Sequence, residues 1–260
     1  MNSKKSAKVL GRNLSRVTKQ RLDLLLVERG VAPSRQRAHA LLLAGQVRVN
    51  GMRMDKPGTP VPVDAHIEMT GEQLRYASRG GLKLEGALAD FRVSPQNKVC
   101  LDVGSSNGGF TDCLLQHGAR RVYAVDVTID QLDWKLQHDP RVATIEKNAR
   151  YLRAEDLAEK PEFVTVDVSF ISVSKILPAI VSAATSDAVF LILIKPQFEL
   201  DKRDIGKGGI VREPELHKKA IDRVVSAASE LGLAIAGVLP SRVTGAEGNQ
   251  EFFLHAKRQL

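Results

Sequence analysis

Six apolar residues stand unbroken at Val189-Phe-Leu-Ile-Leu-Ile194, and a lysine follows at once. The run has the length of a strand and falls far short of the ~18–20 residues that cross a bilayer. A strand with no polar alternation offers no face to water, so it belongs inside a sheet covered on both sides. Comparable segments recur at Val99–Val103, Val122–Val127, Val142–Ile145, Phe163–Val168, Ala234–Leu239 and Phe252–His255. Helical stretches separate most of them, for example Gly109–Gln116, Val173–Ala184 and Glu213–Leu231. This alternation predicts an α/β fold: a mostly parallel, seven-stranded sheet with helices on both faces, over residues 79–260.

The first third of the chain differs. Of the net charge of +8, residues 1–21 carry +7, residues 22–80 carry +2 and the remainder −1. Residues 1–18 are polar, basic and aperiodic and read as a disordered tail. From residue 19 to 71 the pattern predicts a small α+β domain. Leu22 to Val27 makes a helix ended by Gly30, and Ser34 caps a second helix that Gly45 stops. A strand over Gln46–Gly51 ends in an Asn-Gly turn, and Val61 to Met69 alternates as a further strand. Residues 72–78 read as a linker.

The stretch RLDLLLVERGVAPSRQRAHALLLAGQVRVNG resembles the small RNA-binding domain named after ribosomal protein S-four. The resemblance implies a second helix and following turn that face structured RNA, with Arg35, Arg37, Arg48 and Arg53 toward phosphates. Elementary electrostatics agrees, because a helix N-terminus bearing Arg35 and Arg37 already favours an anion. Each arginine alone would equally suit a solvated helix face.

A glycine-rich turn follows the first strand of the large sheet, in Leu101-Asp-Val-Gly-Ser-Ser-Asn-Gly-Gly109. Such a turn lets a ligand approach bare backbone. Asp102 beside it disfavours a pyrophosphate and suits the cationic amino-acid moiety of S-adenosylmethionine. Asp126, about 20 residues past the turn, ends the second strand, where an acid can accept the ribose hydroxyls of an adenosine. Gly104, Ser105, Gly108, Gly109 and Phe110 complete the expected cofactor site, and Asn148 is placed to read the adenine edge. A structural turn with a capping aspartate is the plainer alternative.

Ligands in such sheets sit beyond the carboxyl ends of the strands. Asp167 and Lys195 stand at two of those ends, Lys83 precedes the sheet and Glu251 begins the last strand segment. Two lysines sharing a poorly hydrated pocket depress one another's pKa. A neutral amine can then take the proton from a weakly acidic alcohol. The carboxylates would hold the lysines in place.

The blocks DVGSSNGGFTDCLLQHGA, VDVSFISVSKILPAI, IKPQFE, GKGGIVREPELH and GNQEFFLH together resemble the TlyA family, within the wider FtsJ-like methyltransferases. The resemblance implies a Rossmann-like methyltransferase domain. It also implies S-adenosylmethionine as cofactor and ribose 2′-O-methylation of ribosomal RNA, at a cytidine in ribosomal subunits. The family's Lys-Asp-Lys-Glu tetrad falls on Lys83, Asp167, Lys195 and Glu251, with Lys195 the main catalytic lysine. Thr128 stands where the family usually has glycine, and the linker reads Leu-Arg-Tyr-Ala rather than an Arg-x-Trp-Val type.

Two other readings compete. One is a ribosome-binding assembly protein that keeps the fold as a scaffold, against which the intact tetrad argues. The other is a membrane-lytic protein, as the hemolysin A label used in the family implies. It would need a long apolar or strongly amphipathic segment, and the sequence has none. Two cysteines, Cys100 and Cys113, make no disulfide framework, which points to a reducing cytoplasm. Six histidines without ligand spacing point to no metal. A monomer is the default expectation.

Overall fold

The computed structural model describes residues 18–32, 34–43, 45–70, 75–245 and 248–258. All of the expected tail but Thr18, and residues 72–74 of the expected linker, lie outside the described residues. The chain forms two units, Met1–Gln73 and Leu74–Leu260.

In the first unit β1 (Lys19–Arg21) leads into α1 (Leu22–Glu28) and α2 (Arg35–Leu43), followed by β2 (Val47–Val49), β3 (Met52–Met54), β4 (Pro60–Pro62) and β5 (Ile67–Met69). Leu22, Leu25 and Leu26 fall on one face of α1 and are buried with Ala38, Leu41 and Leu42 of α2. Ser34 caps α2 as expected, its Oγ accepting from the Arg37 amide at 3.2 Å. Asn50-Gly51 joins β2 to β3 in a tight hairpin. The single strand expected over Val61–Met69 is instead two strands in two sheets. β4 pairs with β1, and β5 pairs with β2. Pro60 and Pro62 cannot donate to a ladder, which confines β4 to a two-stranded ribbon. A turn closed by the Ala65 amide on Pro62 O, at 3.0 Å, then redirects the chain.

The second unit opens with α3 (Gly80–Phe91), a helix with no counterpart among the expected segments. Gly80, Gly81 and Gly86 weaken its helical signal, yet Leu84, Ala87 and Leu88 form a buried stripe. There follow β6 (Val99–Val103), α4 (Gly109–Gln116), β7 (Arg121–Asp126), α5 (Trp134–Gln137), β8 (Val142–Glu146), β9 (Phe163–Val166), α6 (Leu177–Ala183), β10 (Val189–Ile194), α7 (Pro196–Glu199), α8 (Pro214–Glu230), β11 (Leu233–Pro240) and β12 (Phe252–Arg258). They build the seven-stranded sheet β11-β12-β10-β9-β6-β7-β8. The five strands from β8 to β10 run parallel, β12 runs antiparallel to them, and β11, antiparallel to β12, runs with the five again. The helix expected over Val173–Ala184 is a 3-10 turn, Val173–Lys175, followed by α6, which starts where Pro178 fits the first helical turn.

The unbroken apolar run now has its reason. Phe190, Ile192 and Ile194 of β10 join one core with Leu177 and Ile180 of α6 and Val224 of α8. Val189, Leu191 and Leu193 join a second core with Leu84 of α3 and Leu114 of α4. Alternate side chains of one strand thus fill both layers, and truncating any of them to alanine would cost about 2–5 kcal/mol.

Candidate active site

Strand alternation also decides where the charged side chains go. β9 stops at Val166, so Asp167 is the first residue beyond the strand, its amide still on Val103 O at 2.8 Å. Lys195 follows β10 directly and caps α7. Lys83 projects from the first turn of α3, and Glu251 lies just before β12. These four residues from distant parts of the chain form two ion pairs. Lys83 Nζ stands 2.5 Å from Glu251 Oε2, and Lys195 Nζ stands 2.5 Å from Asp167 Oδ1. Burial pushes the Glu251 carboxyl above its usual range, against the pull of Lys83. The fields of Lys195 and Asp167 reach Glu251 as well, so the two pairs act as neighbours. Lys195 Nζ further donates to Ser169 Oγ at 2.9 Å.

A cavity of about 250 Å³ opens beside them. Of the expected cofactor residues, Gly104, Ser105, Gly109 and Phe110 line it, with Lys83 and Asp167. Arg79 and Thr244 line it too and were not anticipated. The turn needs glycine for a reason beyond ligand approach. Gly104 has φ +86°, and a Cβ there would stand 2.3 Å from Asp167 O. At Gly109 a Cβ would meet Ser78 Oγ at 2.2 Å. The turn is therefore packed against the chain's own backbone at the two places where the site is built.

Four of the expected cofactor residues stand outside the lining of this cavity. Asp102 does not line the cavity. It is fully buried, because alternation along β6 turns it to the face of α4. There Thr111 Oγ1 donates to it at 2.6 Å and Thr165 Oγ1 at 3.1 Å. Burial pushes its pKa up to about 7. It supports the turn from beneath. Gly108 faces Leu132 and Leu136 rather than the cavity. Asp126 accepts the Ser106 amide at 2.8 Å and the Val127 amide at 2.7 Å, and so ties the turn to the end of β7. Asn148 is exposed and caps the next 3-10 turn, accepting the Arg150 amide at 3.0 Å.

One orphaned polar atom belongs to a cavity-lining residue: Ser105 Oγ is buried without a hydrogen-bond partner. Native structures seldom leave such atoms unpaired except where a ligand completes them. The lining carries both signs of charge, Arg79 and Lys83 against Asp167, which suits the zwitterionic amino-acid end of S-adenosylmethionine. The residues present therefore fit that cofactor.

Sequence reasoning also missed Phe170. It is 91% exposed, has φ +66°, and its ring lies 5.1 Å from that of Phe198. A bulky residue rarely adopts that conformation, and its backbone is strained there.

In the first unit Arg37 is exposed, and Arg48 and Arg53 oppose each other across β2 and β3. Arg35 is not a free cation: its Nε donates to Asp23 Oδ2 at 2.8 Å. Arg21 and His39 converge on the same buried carboxylate, at 2.9 Å each. That cluster draws on β1, α1 and α2 and has no signature in a linear pattern.

Comparison with known proteins bears on both units. Residues 76–258 match the FtsJ-like methyltransferase family, and residues 20–67 match the S4 domain. YqxC of Bacillus subtilis, an rRNA methyltransferase by name, is 47% identical over 91% of this chain and 85% of its own length. The 16S/23S rRNA (cytidine-2'-O)-methyltransferase TlyA of Mycobacterium tuberculosis is 43% identical, over 92% of this chain and 90% of its own. A hemolysin-named protein of solved structure from Streptococcus thermophilus superposes with a TM-score of 0.71 at 42% identity, covering 94% of this chain and 90% of that one. Among the described residues, no helix is long and apolar enough to cross a membrane.

Proposed function

We propose that this chain, which belongs to the TlyA family of FtsJ-like methyltransferases, transfers a methyl group from S-adenosylmethionine to a ribose 2′-hydroxyl of ribosomal RNA, at a cytidine. The observation that carries the reading is the convergence of Lys83, Glu251, Lys195 and Asp167 beside a cavity fit for that cofactor. When bound, S-adenosylmethionine supplies an electrophilic methyl group on a sulfonium.

The chain's own residues supply the rest. Lys195, held beside Asp167, would receive the hydroxyl proton, and Asp167 would balance its charge. Lys83, anchored by buried Glu251, offers its remaining N–H groups to the same ribose. Phe170, standing in solvent two positions past Val168, is a platform for the base of a nucleotide rotated out of its helix. In the first unit Arg37, Arg48 and Arg53 contact RNA phosphates, with Arg35 held in place by Asp23. The domain reading follows: an RNA-binding unit over 19–71, a linker and a methyltransferase unit from 79 onward. A ribosomal substrate and two free cysteines, both buried, accord with work in the cytoplasm as a monomer.

The test is transfer of labelled methyl to separated, unmethylated ribosomal subunits, wild type beside Lys195→Ala. Label entering ribose with wild type and not with the variant supports enzyme class and lysine role together. Binding without transfer by wild type would favour a scaffold instead.

A further inference from the structure

Asp167 and Ser169 share one amine, and they do so differently. Asp167 Oδ1 comes within 2.5 Å of Lys195 Nζ, yet that oxygen has no directed hydrogen-bond partner. The contact is close but off the direction a hydrogen bond requires. The contact to Ser169 Oγ, at 2.9 Å, is directed, and among the described residues it is the one such side-chain bond that Lys195 makes. Asp167 therefore supplies charge without direction, and Ser169 supplies direction without charge.

Direction matters at this atom. An ε-amine spins freely about its last carbon–nitrogen bond and presents three positions in turn. One fixed acceptor removes that freedom and leaves the remaining positions aimed at fixed points. In the Val-Asp-Val-Ser-Phe segment, Asp167 and Ser169 stand two residues apart, and both side chains reach the Lys195 amine. Phe170 then turns the chain away with its positive φ. Ser169 itself is exposed, so nothing in the core requires a hydroxyl there.

We propose that Ser169 is a positioning residue for methyl transfer, fixing the Lys195 amine so that one of its positions meets the ribose hydroxyl. The inference rests on the methyltransferase reading given above. It adds a fifth residue to the four charged ones.

Steady-state methyl transfer to purified ribosomal subunits tests it, with wild type, Ser169→Ala and Ser169→Thr. Ser169→Ala should lower kcat by about 10- to 100-fold, the scale of losses from misoriented reacting groups. The KM for subunits and the thermal unfolding midpoint should stay at wild-type values. Ser169→Thr, which keeps the hydroxyl, should recover most of the rate. Equal kcat for wild type and Ser169→Ala overturns the role of Ser169 alone. So does a loss in Ser169→Ala that threonine does not rescue, or one confined to KM. Wild type that transfers no methyl group at all overturns the methyltransferase reading, and this inference with it.

Discussion

Each unit buries one aspartate completely, and the two respond in opposite ways. Asp23 in Met1–Gln73 is ringed by Arg21, Arg35 and His39, and the bond from Arg21 leads in holding its carboxyl well below the usual range. Asp102 in Leu74–Leu260 has neutral partners, the hydroxyls of Thr111 and Thr165 and the Thr111 amide, and burial pushes it up to about 7. Both carboxylates are dehydrated, but guanidinium groups repay dehydration and neutral hydroxyls do not. The difference matches what surrounds each one. Around Asp23 the side chains of Arg21, Arg35 and His39 are roughly half exposed, fixed from below by one carboxylate. Around Asp102 nothing faces outward, and the carboxylate serves to knit β6, α4 and β9 beneath the cofactor turn.

If the units divide binding from chemistry in this way, their variants should separate cleanly. The largest effect is expected at Lys195. Lys195→Ala should lower methyl transfer by about 10²–10⁴-fold, the usual range for losing a general base, while subunit affinity in a filter-binding assay is unchanged. Next comes the triple change Arg37→Ala, Arg48→Ala, Arg53→Ala. It should weaken RNA binding and flatten its salt dependence by about 0.7–0.9 in log–log slope for each phosphate left without its arginine. Single-turnover rates at saturating enzyme should survive. A triple variant that binds normally would break the division of labour.

The two aspartates sharpen the comparison through pH. Asp23 is depressed, so its contribution to stability is present above the ordinary value of 3.8 and is lost as pH falls below it. Asp23→Asn should therefore destabilise the protein at pH 7, by about 1–3 kcal/mol in denaturant melts, and progressively less toward pH 3. Asp102 has the opposite sign. Its folded value of about 7 lies above the ordinary 3.8, so wild type should lose stability as pH rises between the two. Asp102→Asn should remove that slope and give a smaller change than Asp23→Asn at pH 5. Parallel pH slopes for the two variants would contradict the contrast between their surroundings.

The sequence made the large sheet readable because burial on both faces leaves an unmistakable apolar run, as at Val189–Ile194. It concealed α3, where three glycines mask a good apolar stripe, and it merged β4 with β5, whose alternation continues across a turn. In the site, position along the strand decided what was legible. Asp167 and Lys195 stand past strand ends, where side chains must emerge, and they were visible from pattern. Asp102 is inside a strand, one residue short of its end, and only the direction of the pleat tells that it turns inward. The Asp23 cluster and the Lys83–Glu251 pair depend on elements that meet only after folding.

Nucleoside mass spectrometry of ribosomal RNA after reaction with the wild-type protein and S-adenosylmethionine tests the central claim most directly. The account predicts one new product, 2′-O-methylcytidine, formed by wild type and absent with Lys195→Ala. A methyl group found on a base, or on the ribose with both proteins alike, would contradict it.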